Sequence, residues 1–99
     1  MFEKLYILLI CHMIGDYILQ TDFLAKTKGE NWWHLAVHSF LYSLPFYICY
    51  GIDWKIWTLI YTHFVIDMFK ARYNVINYLQ DQILHIIILI FLYANILIK

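Results

Sequence analysis

Four apolar stretches run through this chain, and each carries a pair of ionisable residues four positions apart. The pairs are His12 with Asp16, His34 with His38, His63 with Asp67, and Asp81 with His85. A spacing of four places both members of a pair on one face of an α-helix, one turn apart. An acid or imidazole in apolar surroundings is costly unless it meets a partner, so the four faces are expected to turn toward one another. That requirement limits the fold more sharply than anything else in the sequence.

The stretches read as helices over about 2–20, 33–50, 54–69 and 79–97, within a single domain covering 1–99. Hydrophobic residues make up 64% of the chain and charged residues 14%, against roughly 45–50% and 25% in soluble domains. A domain this small has little interior in which to hide so much apolar surface. The expected fold class is therefore all-α, a four-helix transmembrane bundle running up-down-up-down, with the lipid bilayer as its surroundings. Trp32 and Trp33, then Trp54 and Trp57, fall where interfacial aromatic belts would lie. Lys26, Lys28, Lys70 and Arg72 gather at one end of such a bundle; Lys4, Lys55 and Lys99 gather at the other. The net charge is zero and no basic stripe is present, which excludes nucleic acid as a partner. Residues 21–32 form the longest connector. Cys11 and Cys49 are far apart in sequence, belong to no CxxC motif, and read as small core residues.

Antiparallel packing has a consequence for the pairs. They lie at the C-terminal, N-terminal, C-terminal and N-terminal parts of their helices, so all four fall at the same end of the bundle. The expected result is two tiers: His12, His38, His63 and His85 lie deeper, and Asp16, His34, Asp67 and Asp81 lie about 6 Å nearer the outside, at ~1.5 Å per residue. Imidazole nitrogens with carboxylate oxygens and no thiolates suit one or two divalent ions. Zinc is the first expectation; manganese, iron, nickel or cobalt would also fit the donors. The expected ligands are His12, Asp16, His38, His63, Asp67, Asp81 and His85, with His34 as a further candidate. Gln20 and Gln82 are expected either to hydrogen-bond those ligands or to tie one helix to another. Lys70 stands one turn beyond Asp67, where it could steady an anionic oxygen.

The segments HxxGDxxLQTD (His12 to Asp22), the single His38, THFxIDxxK (Thr62 to Lys70) and DQxxH (Asp81 to His85) occur in this order. Together they resemble a bacterial and phage family of small polytopic membrane proteins classed as a domain of unknown function, DUF3307. The resemblance covers nearly the whole chain. It implies an integral protein of the bacterial inner membrane, with His12, Asp16, Gln20, His38, His63, Asp67, Lys70, Asp81, Gln82 and His85 on motif positions and His34 off them. The chain is also similar, more loosely, to membrane proteins labelled metal-dependent hydrolases.

The leading expectation is a metal-dependent hydrolase acting on a lipid-like or anionic small molecule, a phosphoester among the candidates, with Asp16, Asp67, Asp81 and Lys70 as its catalytic groups. The alternatives are a metal-binding or transport protein, an oxygen-activating di-iron protein, and a structural or partner-binding subunit, with self-assembly into a homo-oligomer open in each case.

Overall fold

Side-chain caps decide where the helices begin. Thr21 accepts from the Leu24 amide, Asn31 from the amides of Trp33 and His34, and Asp53 from that of Lys55. Asn77 and Gln80 form a reciprocal capping box. Each cap satisfies amides that the first helical turn leaves without partners.

In the computed structural model, residues 2–98 are described. Met1, the start of the single unit expected over 1–99, lies outside them, as does Lys99, grouped above with Lys4 and Lys55. The elements are α1 (Phe2–Met13), which continues through a π-helical turn at Ile14–Ile18; α2 (Asp22–Thr27); and α3 (Trp32–Tyr50). They are followed by α4 (Trp54–Asp67), which continues through a second π-helical turn at Met68–Arg72; α5 (Tyr78–Leu92); and α6 (Ala94–Ile98). All described secondary structure is helical. Helix α3 packs on α4 and α4 on α5, α1 and its π-turn pack on α3, and α6 returns to α1. The all-α expectation holds, and the principal helices form a bundle.

The transmembrane expectation does not hold. No described helix is long and apolar enough to cross a membrane, which overturns the placement of this chain as an integral protein of the bacterial inner membrane. The physical reason lies in where the helices stop. As regular α-helix α1, α4 and α5 run for 12, 14 and 15 residues, roughly 18–23 Å at ~1.5 Å per residue, and the π-turns that extend α1 and α4 carry Asp16 and the cations Lys70 and Arg72, so no uninterrupted apolar helix reaches the ~30 Å hydrocarbon thickness. Helix α3 has 19 residues but spends His34, His38, Ser39 and Ser43 on polar contacts. The helix expected over 79–97 is interrupted at Tyr93, and the connector 21–32 contains α2.

The interior divides into two halves along the bundle. One is apolar, built on Leu8, Cys11, Tyr42, Phe46, Ile56, Leu59, Leu89 and Tyr93. The other holds the buried polar side chains His12, Asp16, Lys28, His38, His63, Asp67, Asp81 and His85. Gly15 sets the approach of α1 to α3: a Cβ there would stand 2.5 Å from the Tyr42 carbonyl oxygen. Only glycine permits that closeness, and it is what brings Asp16 against α3.

Candidate metal centre

Both π-helical turns touch the motifs. One contains Gly15 and Asp16; the other begins immediately after Asp67. A π-turn widens the helix by one residue and re-aims the side chains around it, which is why such turns recur at functional sites. Here they carry the carboxylates of α1 and α4 to the middle of the bundle, over imidazoles from α3, α4 and α5.

The imidazoles form one stack with Tyr42. The His63 ring lies parallel to Tyr42 at 4.0 Å and to His85 at 4.3 Å between centroids, with His38 4.8 Å from His63. Two donor groups open toward the carboxylates. In the first, His38 Nε2 lies 3.4 Å from Asp16 Oδ1 and 3.3 Å from Asp67 Oδ2. His63 Nε2 lies 3.7 Å from Asp16 Oδ1 and 2.9 Å from His38 Nε2. In the second, His85 Nε2 lies 3.3 Å from Asp81 Oδ1. Asp16 offers an oxygen to both groups, with every donor of each group within 4.8 Å of the others.

The separations of His38 from Asp16 and Asp67 and of His85 from Asp81, 3.3–3.4 Å, fit donors of a common ion, whereas His63 lies closer to His38 and farther from Asp16 than that. Ligand bonds of ~2.0–2.2 Å in a tetrahedron place neighbouring donor atoms about 3.3–3.6 Å apart. Asp81 Oδ1 and His85 Nε2 are buried and neither has a hydrogen-bond partner, although they face one another. A buried carboxylate oxygen and imidazole nitrogen left without hydrogen bonds are unfavourable by ~1–3 kcal/mol for each group, and a cation between the two would relieve both.

The remaining residues arrange this set. Gln82 Nε2 donates to Asp16 Oδ2 at 2.9 Å and to Asp81 Oδ2 at 3.1 Å. Its Oε1 must then accept, so His12 carries its proton on Nε2, 2.8 Å away. His12 Nδ1 therefore accepts from the Tyr42 hydroxyl, also at 2.8 Å. With both ring nitrogens engaged, His12 stands beside the donor groups and fixes Gln82, where a ligand was expected. His34 lies apart: its Nδ1 meets Thr27 Oγ1 at 2.7 Å and its ring packs on Phe23, tying α2 to α3.

Lys28, expected in a solvated connector, is buried. Its ammonium lies 2.8 Å from Asp67 Oδ2 and 2.6 Å from Gln20 Oε1. Gln20 thus holds Lys28 and ties the segment after the first π-turn to the segment after α2, the second of its two expected roles. Gly29 makes this possible, because a Cβ at that position would overlap the Ala71 carbonyl of the second π-turn. Lys70 lies 3.8 Å from Asp67 Oδ1 and 3.6 Å from Asp81 Oδ2. Tyr42 has a sequence signal, since it continues the His34–His38 stripe by four; for Lys28 only the adjacent glycine hints at close packing.

Electrostatics favour cation binding. Burial, followed by the neighbouring His85 and His38, pushes the His63 imidazole well below its ordinary value, so it is neutral with a lone pair to offer. Burial alone would raise the Asp16 carboxyl; the contact with His38, the His63 imidazole, the Gln82 amide and His85 together hold it well below the carboxylate range. With His63 neutral, the contacts from His38 and Gln82 carry most of that depression. Asp81 is lowered in the same manner: burial opposes, and His85 and Lys70 prevail. Burial and the charges of Asp16 and Asp81 raise the Tyr42 hydroxyl, which stays protonated as the donor to His12.

No curated protein and no solved structure matches this chain. Residues 5–99 match the family described as protein of unknown function (DUF3307). That span includes every residue of the cluster, and on it the chain belongs to the DUF3307 family.

Proposed function

We propose that this chain is a divalent-metal-dependent hydrolase. The observation that carries the reading is the pair Asp81 Oδ1 and His85 Nε2, buried, 3.3 Å apart and without hydrogen bonds. It stands beside a second donor group, Asp16, His38 and His63, that shares Asp16 with it. Asp81 and His85 would hold one ion and His38 and His63 a second, with Asp16 in reach of both groups and Asp67 beside the second. When bound, such ions supply Lewis acidity toward an anionic oxygen and activate water for hydrolysis. Gln82 and His12 fix the Asp16 carboxylate, and Lys70 faces the outer side of the cluster as a cation for a substrate oxygen. Carboxylates and imidazoles without thiolates favour zinc or manganese over softer ions. Tyr42 and Phe46 close the cluster on its apolar side, which favours a one-mouthed reaction site over a path for transport.

Elemental analysis of purified protein is the first test. Wild type is expected to carry one or two equivalents of a divalent metal. Asp16→Asn is expected to lose most of it and His85→Ala at least the second ion. His34→Ala keeps the full content. Hydrolysis of p-nitrophenyl phosphate should follow the metal content and disappear with chelator. Equal trace metal in wild type, Asp16→Asn and His85→Ala, with helicity retained in each, would end the proposal.

A further inference from the structure

Above the cluster lies a cavity of about 680 Å³, within the ~300–1,000 Å³ range of small-molecule sites. Its walls come from two segments that flank the cluster: the end of α2 with the loop after it, and the second π-turn with the loop leading to α5. Lys26, Lys28, Lys70 and Arg72 line it, with Glu30 as the acid among them. Lys28 and Lys70 belong to both places, since they line the cavity and reach down to Asp67 and Asp81. The cavity is therefore the mouth of the cluster.

We propose that this mouth seats a phosphate-bearing small molecule, gripped by Lys70 and Arg72, and that loading of the metal strengthens the grip. The inference rests on the metal reading for its second half only. Arg72 is held ready for an anion, because its guanidinium stacks 4.1 Å from the Trp32 ring and donates to the Gly29 carbonyl at 3.3 Å, which keeps the fork in one orientation. Planar Arg forks and Lys ammonium groups are the usual partners of phosphate oxygens.

Charge explains the coupling. Lys26, Lys28, Lys70 and Arg72 are matched one for one by Glu30, Asp16, Asp67 and Asp81, so the acids and the lysine and arginine cations of mouth and cluster cancel. One divalent ion leaves an excess of two positive charges, which a phosphate dianion cancels. Carboxylates engaged by an ion would hold Lys28 and Lys70 less tightly than they now do, leaving both ammonium groups free to turn toward the cavity. A neutral ligand gains nothing from either change, and a monocarboxylate cancels half of the excess.

Methylphosphonate titration by calorimetry, with and without Mn²⁺ and with metal content measured on the same samples, tests this. The expected result is saturable binding at one equivalent, about tenfold tighter with Mn²⁺ than without, and acetate weaker than methylphosphonate. Lys70→Gln should weaken the phosphonate about tenfold. Lys26→Ala, an exposed position where misfolding is not at issue, should weaken it about threefold. Glycerol 3-phosphate against its soluble dihexanoyl diester separates a free phosphate ester from a lipid headgroup as the source of the anion. If Mn²⁺ loads but phosphonate fails to saturate, or binds no better than acetate, or is indifferent to both variants, the seat is overturned and the metal reading stands. If no metal loads, that reading fails by its own measurement. The metal-free titration then decides the seat: saturation weakened by Lys70→Gln supports it, and a flat isotherm overturns it.

Discussion

Replacing Lys28 with methionine separates two roles of one buried cation. The stem keeps its volume, but Asp67, 1% exposed, loses the ammonium 2.8 Å from its Oδ2. Removing one partner of a buried ion pair costs ~3–5 kcal/mol. Lys70 remains 3.8 Å from the other oxygen, so the low end, about 3 kcal/mol, is expected. In a domain of this size each kcal/mol moves the melting temperature by ~4–8 °C, which gives a fall of roughly 12–24 °C for the metal-free protein followed by circular dichroism.

The same substitution should tighten metal binding. An ion held by Asp67 Oδ2 at ~2.1 Å would stand about 4 Å from the present position of the Lys28 nitrogen. Two unit charges at ~4 Å repel by ~4 kcal/mol at an effective dielectric of ~20, and a divalent ion doubles this. Movement of Lys28 relieves most of that repulsion in the wild type. If a sixth of it persists, the gain in affinity on its removal is about tenfold. At metal one hundred times the variant's dissociation constant the variant gains about 2.7 kcal/mol and the wild type, at ten times its own, about 1.4 kcal/mol. The deficit of about 3 kcal/mol should therefore narrow with metal to about 1.7 kcal/mol, or roughly 7–14 °C. A metal-free variant that melts within about 1 kcal/mol of wild type would show that no buried ion pair exists. A variant with weakened metal affinity would show that ion and ammonium do not compete for Asp67.

Three further outcomes can be measured. Gly15→Ala must push α1 from α3, because its Cβ would stand 2.5 Å from the Tyr42 carbonyl oxygen; a loss of ~1–3 kcal/mol in urea unfolding is expected, with metal content falling as Asp16 moves away, and retention of both would refute the close approach. Acid should destabilise in two stages: unfolded His63 takes up its proton from about pH 6.5 downward before the folded imidazole does, and unfolded Asp16 and Asp81 take up theirs below about pH 4 before the depressed folded carboxyls do. Urea midpoints that rise between pH 7 and pH 3 would contradict both shifts. Iodoacetamide at pH 8 should label Cys49, which is exposed, before Cys11, whose thiol burial and the adjacent Cys49 push up to about 12; peptide mapping that finds Cys11 labelled first would refute its burial.

How much of this was legible beforehand depends on whether a residue acts through its own helix or through a neighbour's. The histidine and aspartate pairs announce themselves because a spacing of four survives whatever surrounds the helix, and antiparallel topology then brings Asp16, His38, His63, Asp67, Asp81 and His85 to one end. The exclusion of His34 could be anticipated only in part: it shares a stripe with His38, but the unexpected helix α2 places Thr27 within reach and claims it. Cys11 and Cys49, both read as small core residues, differ: Cys11 is buried and Cys49 exposed, yet their sulfurs lie 3.6 Å apart, a proximity set by α1–α3 packing that no local motif encodes. Lys28 is the clearest failure, because burial of a connector lysine depends on Gly29 lying against Ala71, a contact 42 positions away in sequence. The membrane reading failed for a related reason. Apolar composition adds up along a stretch regardless of helix breaks, whereas spanning length depends on uninterrupted helix, and nothing in the residue pattern marked π-turns beginning at Ile14 and Met68 or the break at Tyr93. Those two turns widen the helices where Asp16 and Asp67 enter the cluster. The interruptions that spoil the spans are thus the same ones that assemble the site, and a substitution that restored regular α-helix through Gly15–Asp16 would lengthen α1 while rotating its carboxylate away from His38.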